Sequence, residues 1–95
     1  MGFSPPSALV LGVEISTESL YDVDLDTLFL VGIKTYSIAP DEKGWQEIHL
    51  PSNNGFFFIN IGLANNVGFQ IGYSYDKKLY GRGKWASTIS SWREL

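Results

Sequence analysis

Apolar and polar residues alternate with period two through most of the chain, most densely over residues 56–76, FFFINIGLANNVGFQIGYSYD. Successive strand side chains point to opposite faces, so this period marks strands. In the first arm Phe57, Ile59, Ile61 and Leu63 share one face, and Phe56, Phe58 and Asn60 the other. In the second arm Phe69, Ile71, Tyr73 and Tyr75 oppose Gln70, Ser74 and Asp76. The intervening residues 64–68, Ala-Asn-Asn-Val-Gly, include Asn and Gly, which tolerate the positive φ of a tight reversal. The pattern predicts a hairpin with its apolar side in the core and the polar side of its second arm in water. Around Phe56 to Phe58 the first arm is apolar on both sides, so one side needs cover from another layer or another molecule.

The same alternation predicts a first strand over residues 9–15, after an extended arm at residues 1–7 whose Pro5 and Pro6 cannot donate to a ladder. Gly12 within that strand marks a bulge or a close backbone approach. Residues 16–27 carry two signals: Ser19 and Asp22 fit a capping box, while Tyr21, Val23 and Leu25 alternate with Asp22, Asp24 and Asp26. Alternation favours a strand, with one helical turn as the alternative. A central strand over residues 28–38 follows, then a turn at residues 39–44. A short strand at residues 45–50 points Ile48 and Leu50 inward, and residues 51–55 turn into the hairpin. A turn at residues 76–78, a short strand at 79–82 and a final strand at 84–92 complete the chain.

Seven or eight short strands in 95 residues predict a single all-β domain: a small antiparallel sandwich, with a small barrel as the alternative. The order Trp45-x-x-Ile48-x-Leu50-Pro51, then Phe58-x-Asn60-Ile61-Gly62-Leu63, then Gly68-Phe69-x-Ile71-x-Tyr73-Ser74, resembles the closing half of bacterial immunoglobulin-like β-sandwich domains of unknown function. The resemblance covers residues 28–76, lapses from Lys77 onward, implies a sandwich fold and carries no catalytic residue across.

Composition removes several chemistries. The chain has no cysteine, which excludes disulfides, zinc–thiolate sites and cysteine nucleophiles. The first basic residue is Lys34, so no charged leader precedes an apolar run, and the expectation is a cytoplasmic location without membrane insertion. The net charge of −3 is unevenly spread: eight acids lie in residues 1–50 with only Lys34 and Lys43, whereas Lys77, Lys78, Arg82, Lys84 and Arg93 lie beyond. Either the surface is polarised or the two halves interleave in space.

Asp22, Asp24 and Asp26 are candidate calcium ligands, but an EF-hand loop begun at Asp22 would need Gly and Glu where Thr27 and Ile33 stand. The alternative is a solvated acidic face, and no metal or other cofactor is expected. His49, the sole histidine, has Glu47 two residues away but no nucleophile motif to serve, so the expectation is a non-catalytic protein. The strongest binding candidate is residues 73–85, where Lys77, Lys78, Arg82 and Lys84 interleave with Tyr75, Tyr80 and Trp85, with Trp45 as a further aromatic. Three uses follow. As an assembly module, the chain would bind a protein partner or a second copy through aromatic and basic anchors. As a carbohydrate-binding module, it would offer Trp45, Trp85 and Trp92 as a platform for sugar rings. As a single-strand nucleic-acid binder, it would combine phosphate neutralisation with base stacking. The first reading leads, because surplus apolar surface accompanies an absence of catalytic motifs.

Overall fold

The structure is a computed structural model that describes residues 17–64 and 66–95. The predicted arm and first strand fall outside these residues. The described chain forms β1 (Thr17–Tyr21), a 3₁₀ turn (Leu25–Leu28), β2 (Gly32–Ala39), β3 (Phe56–Ala64), β4 (Val67–Ser74), β5 (Leu79–Trp85), β6 (Thr88–Ile89) and β7 (Arg93–Glu94). All seven strands belong to one open sheet in the order β1-β2-β3-β4-β5-β6, with β7 also on β5. The protein is therefore all-β. The sheet does not close into a barrel, and no second sheet forms among the described residues.

β1 and β2 run parallel, and every other pairing is antiparallel. Parallel neighbours need a crossover. Residues 22–31 supply it and lay Leu25 and Leu28 on one face of the sheet, here called the inner face. The 3₁₀ turn is capped by Asp24, whose carboxylate accepts from the Asp26 amide at 2.9 Å, rather than by Ser19. Alternation across residues 21–26 is thus broken at Asp22, which adopts φ 57°. The Asp22 carboxylate accepts the backbone amides of Asp41, Glu42 and Lys43 at 2.8–3.2 Å, tying the crossover to the turn after β2.

Residues 45–49 form a turn and not the predicted strand. Trp45 and Gly44 carbonyls accept the Leu50 and Glu47 amides at 2.9 and 3.0 Å, so the segment satisfies itself locally and needs no ladder. It still drives Ile48 and Leu50 inward as predicted. The predicted final strand at 84–92 is also divided. β5 runs on to Trp85, reverses at Ala86-Ser87, and returns as β6 and β7 along the free edge of β5.

The core lies on the inner face. Tyr36 and Ile38 of β2 meet Phe56 and Phe58 of β3 beneath Leu25, Leu28, Ile48 and Leu50. Phe58 stacks on Tyr36 and Phe56 at 5.3 and 5.4 Å, and Trp92 meets Phe56 edge-on at 5.1 Å. Gly72 makes room for this: a Cβ there would lie 2.4–2.6 Å from the Phe57 carbonyl, the Phe58 Cβ and the Phe56 ring. Gly62 does the same for the crossover, since a Cβ would collide with the Leu30 carbonyl.

The hairpin is present as predicted, but its faces are exchanged. Gln70 and Ser74, expected in water, are 0% and 1% exposed. Phe57, Phe69, Ile71 and Tyr73, expected in the core, are exposed. The reason is the nature of the covering layer. A crossover and a turn carry carbonyls that no ladder satisfies, and buried carbonyls need donors. Asn60 Nδ2 donates to the Leu30 carbonyl at 3.0 Å, and Gln70 Nε2 to the Leu25 carbonyl at 3.3 Å. Only the face that carries Asn60 and Gln70 fits beneath such a layer.

Candidate interaction surface and the Asp26–Arg82 cleft

Register places three rows of side chains on the outer face across β2, β3, β4 and β5. They are Ile33–Ile61–Phe69–Gly83, Thr35–Ile59–Ile71–Gly81 and Ser37–Phe57–Tyr73–Leu79. None of these positions is charged. At one end Leu63 and the 74% exposed Trp85 extend the apolar surface; at the other lie Tyr75 and Lys77. The glycines of β5 leave a depression beside Phe69 and Ile71, of about 370 Å³, bordered by Leu95. A second depression of about 410 Å³ lies between Leu63, Phe69 and Trp85. The face is thus rich in exposed apolar and aromatic side chains, with Arg93 beside Gly81 and Lys77 beyond Tyr73 as the charges at its margins.

The inner face carries a different constellation. Asn60, Gln70 and Arg82 are register neighbours on β3, β4 and β5. Gln70 Nε2 donates to Asn60 Oδ1 at 3.3 Å, and Arg82 Nε donates to Gln70 Oε1 at 2.9 Å. The Arg82 side chain is only 3% exposed and its Nη1 meets Asp26 at 2.7 Å. Its guanidinium lies over the rings of Trp92 and Phe29 at 4.7 and 5.0 Å. Burial pulls the Arg82 pKa down, and the Asp26 and Asp24 carboxylates oppose that pull. His49, at φ 65°, brings Nδ1 to 2.7 Å from Asp24 Oδ1, while Trp92 Nε1 donates to the His49 carbonyl at 2.6 Å. The partner of His49 is therefore Asp24 and not Glu47. Burial alone would raise the Asp24 pKa, but the Asp26 amide and His49 hold it below the usual carboxylate value.

These groups border a cleft of about 370 Å³ lined by Asp26, Trp45, His49, Arg82 and Trp92. Asp24, Asp26 and His49 offer ligand atoms within 4.8 Å of one another. Arg82 already supplies the positive charge that a cation would bring to Asp26, so one of the two carboxylates is paired from within. Asp22 is separate from it, engaged with the amides of residues 41–43.

The residues of the basic-aromatic segment are spread over both faces. Tyr75 is exposed, and Lys77 stands at φ 69° in the β4–β5 turn. Lys78 pairs with Glu94 at 3.7 Å. Tyr80, Arg82 and Lys84 point to the inner face. Tyr80 packs edge-on to Phe56 and donates its hydroxyl to Asp76 at 3.1 Å. Burial and that hydrogen bond both raise the Tyr80 pKa. Lys84 lies 5.9 Å from the Phe29 ring, and Trp85 points to the outer face. Trp45 is half-buried against the core beside Trp92, on the side of the sheet opposite Trp85, so the three tryptophans form no common platform. The acidic and basic halves of the chain interleave through Asp26–Arg82, with Asp24 and Asp26 beside the same guanidinium.

Residues 57, 59, 61, 69, 71 and 73 of the bare face were legible as one apolar set, but their exposure was not. No protein-family profile, curated protein or solved structure matches the chain.

Proposed function

We propose that the protein is a non-catalytic assembly module that binds a protein partner through the outer face of its sheet. The observation that carries this reading is the three-row face, on which Ile33, Phe57, Phe69, Ile71, Tyr73 and Leu79 are exposed although the core lies on the opposite side of the sheet. Monomers seldom leave contiguous apolar patches beyond a few hundred Å² open, and larger ones mark interaction sites. The sandwich implied by the alternation and by the immunoglobulin-like resemblance then belongs to the assembled state, in which a partner supplies the second layer.

Hydroxyl-radical footprinting tests the reading. Phe57, Phe69 and Tyr73 are expected to oxidise slowly in the concentrated native protein or its native extract, and several-fold faster in the isolated chain diluted to nanomolar concentration. Equal, fast oxidation in both settings would show the face to be bare in use and end the proposal.

A further inference from the structure

Resting on the reading of the outer face as a binding surface, we infer that its occupant is a second copy of this chain. The two outer faces stack as a two-sheet sandwich about a twofold axis parallel to the strands, between β3 and β4.

Four observations lead there. The first is area. Ile33, Phe57, Leu63, Phe69, Ile71, Tyr73, Leu79 and Trp85 are between 37% and 74% exposed. At ~200 Å² for a large side chain, they present on the order of 800 Å², the area each partner contributes to a standard interface.

The second is charge. The three rows hold no ionisable group other than the Tyr73 hydroxyl. Arg93, the register partner of Gly81, stands beyond them at the margin, where the twofold sets it over Thr17 of the other copy and not over a second Arg93, so no like charges are opposed.

The third is shape. A twofold along the strands sets β2 over β5 of the other copy and β3 over β4, with each row meeting its own counterpart. Ile33 then meets Gly83, Thr35 meets Gly81 and Ser37 meets Leu79, while Ile61 meets Phe69, Ile59 meets Ile71 and Phe57 meets Tyr73. Large residues face small ones at the margins, and bulky apolar residues meet across the middle. A twofold across the strands would instead set Gly81 on Gly81 and Thr35 on Thr35, leaving a void at one margin. Aligned sandwiches of this kind pack at ~10 Å with a ~30° rotation.

The fourth is the backbone of the cover. A lone strand laid on this face would bring unpaired amides and carbonyls to a surface that offers no polar row to satisfy them, whereas a sheet brings a backbone already satisfied by its own ladder.

Sedimentation equilibrium from low to high micromolar concentration decides the stoichiometry. The expected result is a species of twice the 10.6 kDa chain mass. Ile71→Lys should return it to monomer with an unchanged circular dichroism spectrum. Should that variant fail to fold, Phe57→Lys, at a more exposed position, makes the same test. Because the chain has no cysteine, Ile33→Cys and Gly83→Cys chains report the orientation. Mixed, they should cross-link to a heterodimer with a short bis-maleimide, whereas each alone should not. A dimer indifferent to both lysine variants, or one in which Ile33→Cys and Gly83→Cys fail to cross-link, overturns the inference. A monomer at all concentrations also overturns it. If that monomer's outer face is protected in native extract, the occupant is a different protein and the assembly reading survives. If the monomer floats with phosphatidylcholine vesicles and Ile71→Lys abolishes this, the face meets lipid and both readings fall.

Discussion

Phe57 and Phe58 are neighbours in β3 and identical in chemistry, yet Phe58 is 0% exposed and Phe57 49%. The two faces of this sheet differ in what can cover them. The inner face lies under a crossover and a turn, whose free carbonyls require donors, and it supplies Asn60, Gln70 and Arg82 in a hydrogen-bonded row. The outer face has no such row and suits a layer whose backbone is already satisfied. Average hydrophobicity favours the outer face as core, but the cost of leaving buried carbonyls unpaired selects the inner one. Burial of a strand face is thus decided by the polar needs of its cover as much as by its own apolarity.

The sharpest way to break this contrast is to truncate both phenylalanines. Phe58→Ala should cost roughly 3–5 kcal/mol of unfolding free energy, read by urea denaturation. Phe57→Ala should cost under about 1 kcal/mol for the monomer, read at concentrations too low for association. Equal losses would mean that both faces are packed within a single chain.

Making the inner face greasier should also harm it. Gln70→Leu removes the partner of the Leu25 carbonyl and of Arg82 Nε. It should destabilise by roughly 1–3 kcal/mol despite the added apolar surface. A stabilised Gln70→Leu protein would refute the view that the loop layer demands a polar row.

A smaller effect belongs to the carboxylates that anchor that layer. Asp24→Ala should cost about 1 kcal/mol through loss of the cap. Burial would raise the Asp22 and Asp24 pKa values, but their hydrogen bonds set both below the ordinary aspartate value of 3.8. A depressed folded pKa means that the unfolded chain binds more protons across this range. The stabilisation is therefore complete above pH 3.8 and is lost as pH falls through the folded values. Thermal midpoints should drop on acidification below that point, less steeply in Asp22→Asn, while the outer face contributes no term of this kind.

The smallest expected change touches neither face. Ala86 holds φ 57° at the β5–β6 reversal, where glycine is favoured. Ala86→Gly should raise stability by up to about 1 kcal/mol without altering association, a control that separates stability from the outer surface.

Strand periodicity over residues 56–74 carried the all-β class and the hairpin, although Gly68, read as part of the turn, lies within β4 opposite Gly62. Period-two alternation is local and survives in any sheet. The turn at residues 45–49 was not legible as such, because a six-residue apolar-polar alternation satisfies a strand and a self-bonded turn equally. The Asp24–His49 and Asp26–Arg82 contacts join positions 25 and 56 apart in sequence, and no local pattern brings such residues together. Arg82 read as part of an exposed basic stripe, since its charge says nothing of the Phe29 and Trp92 rings that enclose it.

The residues alone were enough to say that this chain is a β protein with two differently coloured sides to its central hairpin and more apolar surface than one layer hides. Which side lies inside could be answered only in three dimensions. That choice turns on where residues 22–31 cross and which of their carbonyls must be met, and hydrogen bonds between Leu25 and Gln70 or Leu30 and Asn60 span distances along the chain that periodicity does not reach.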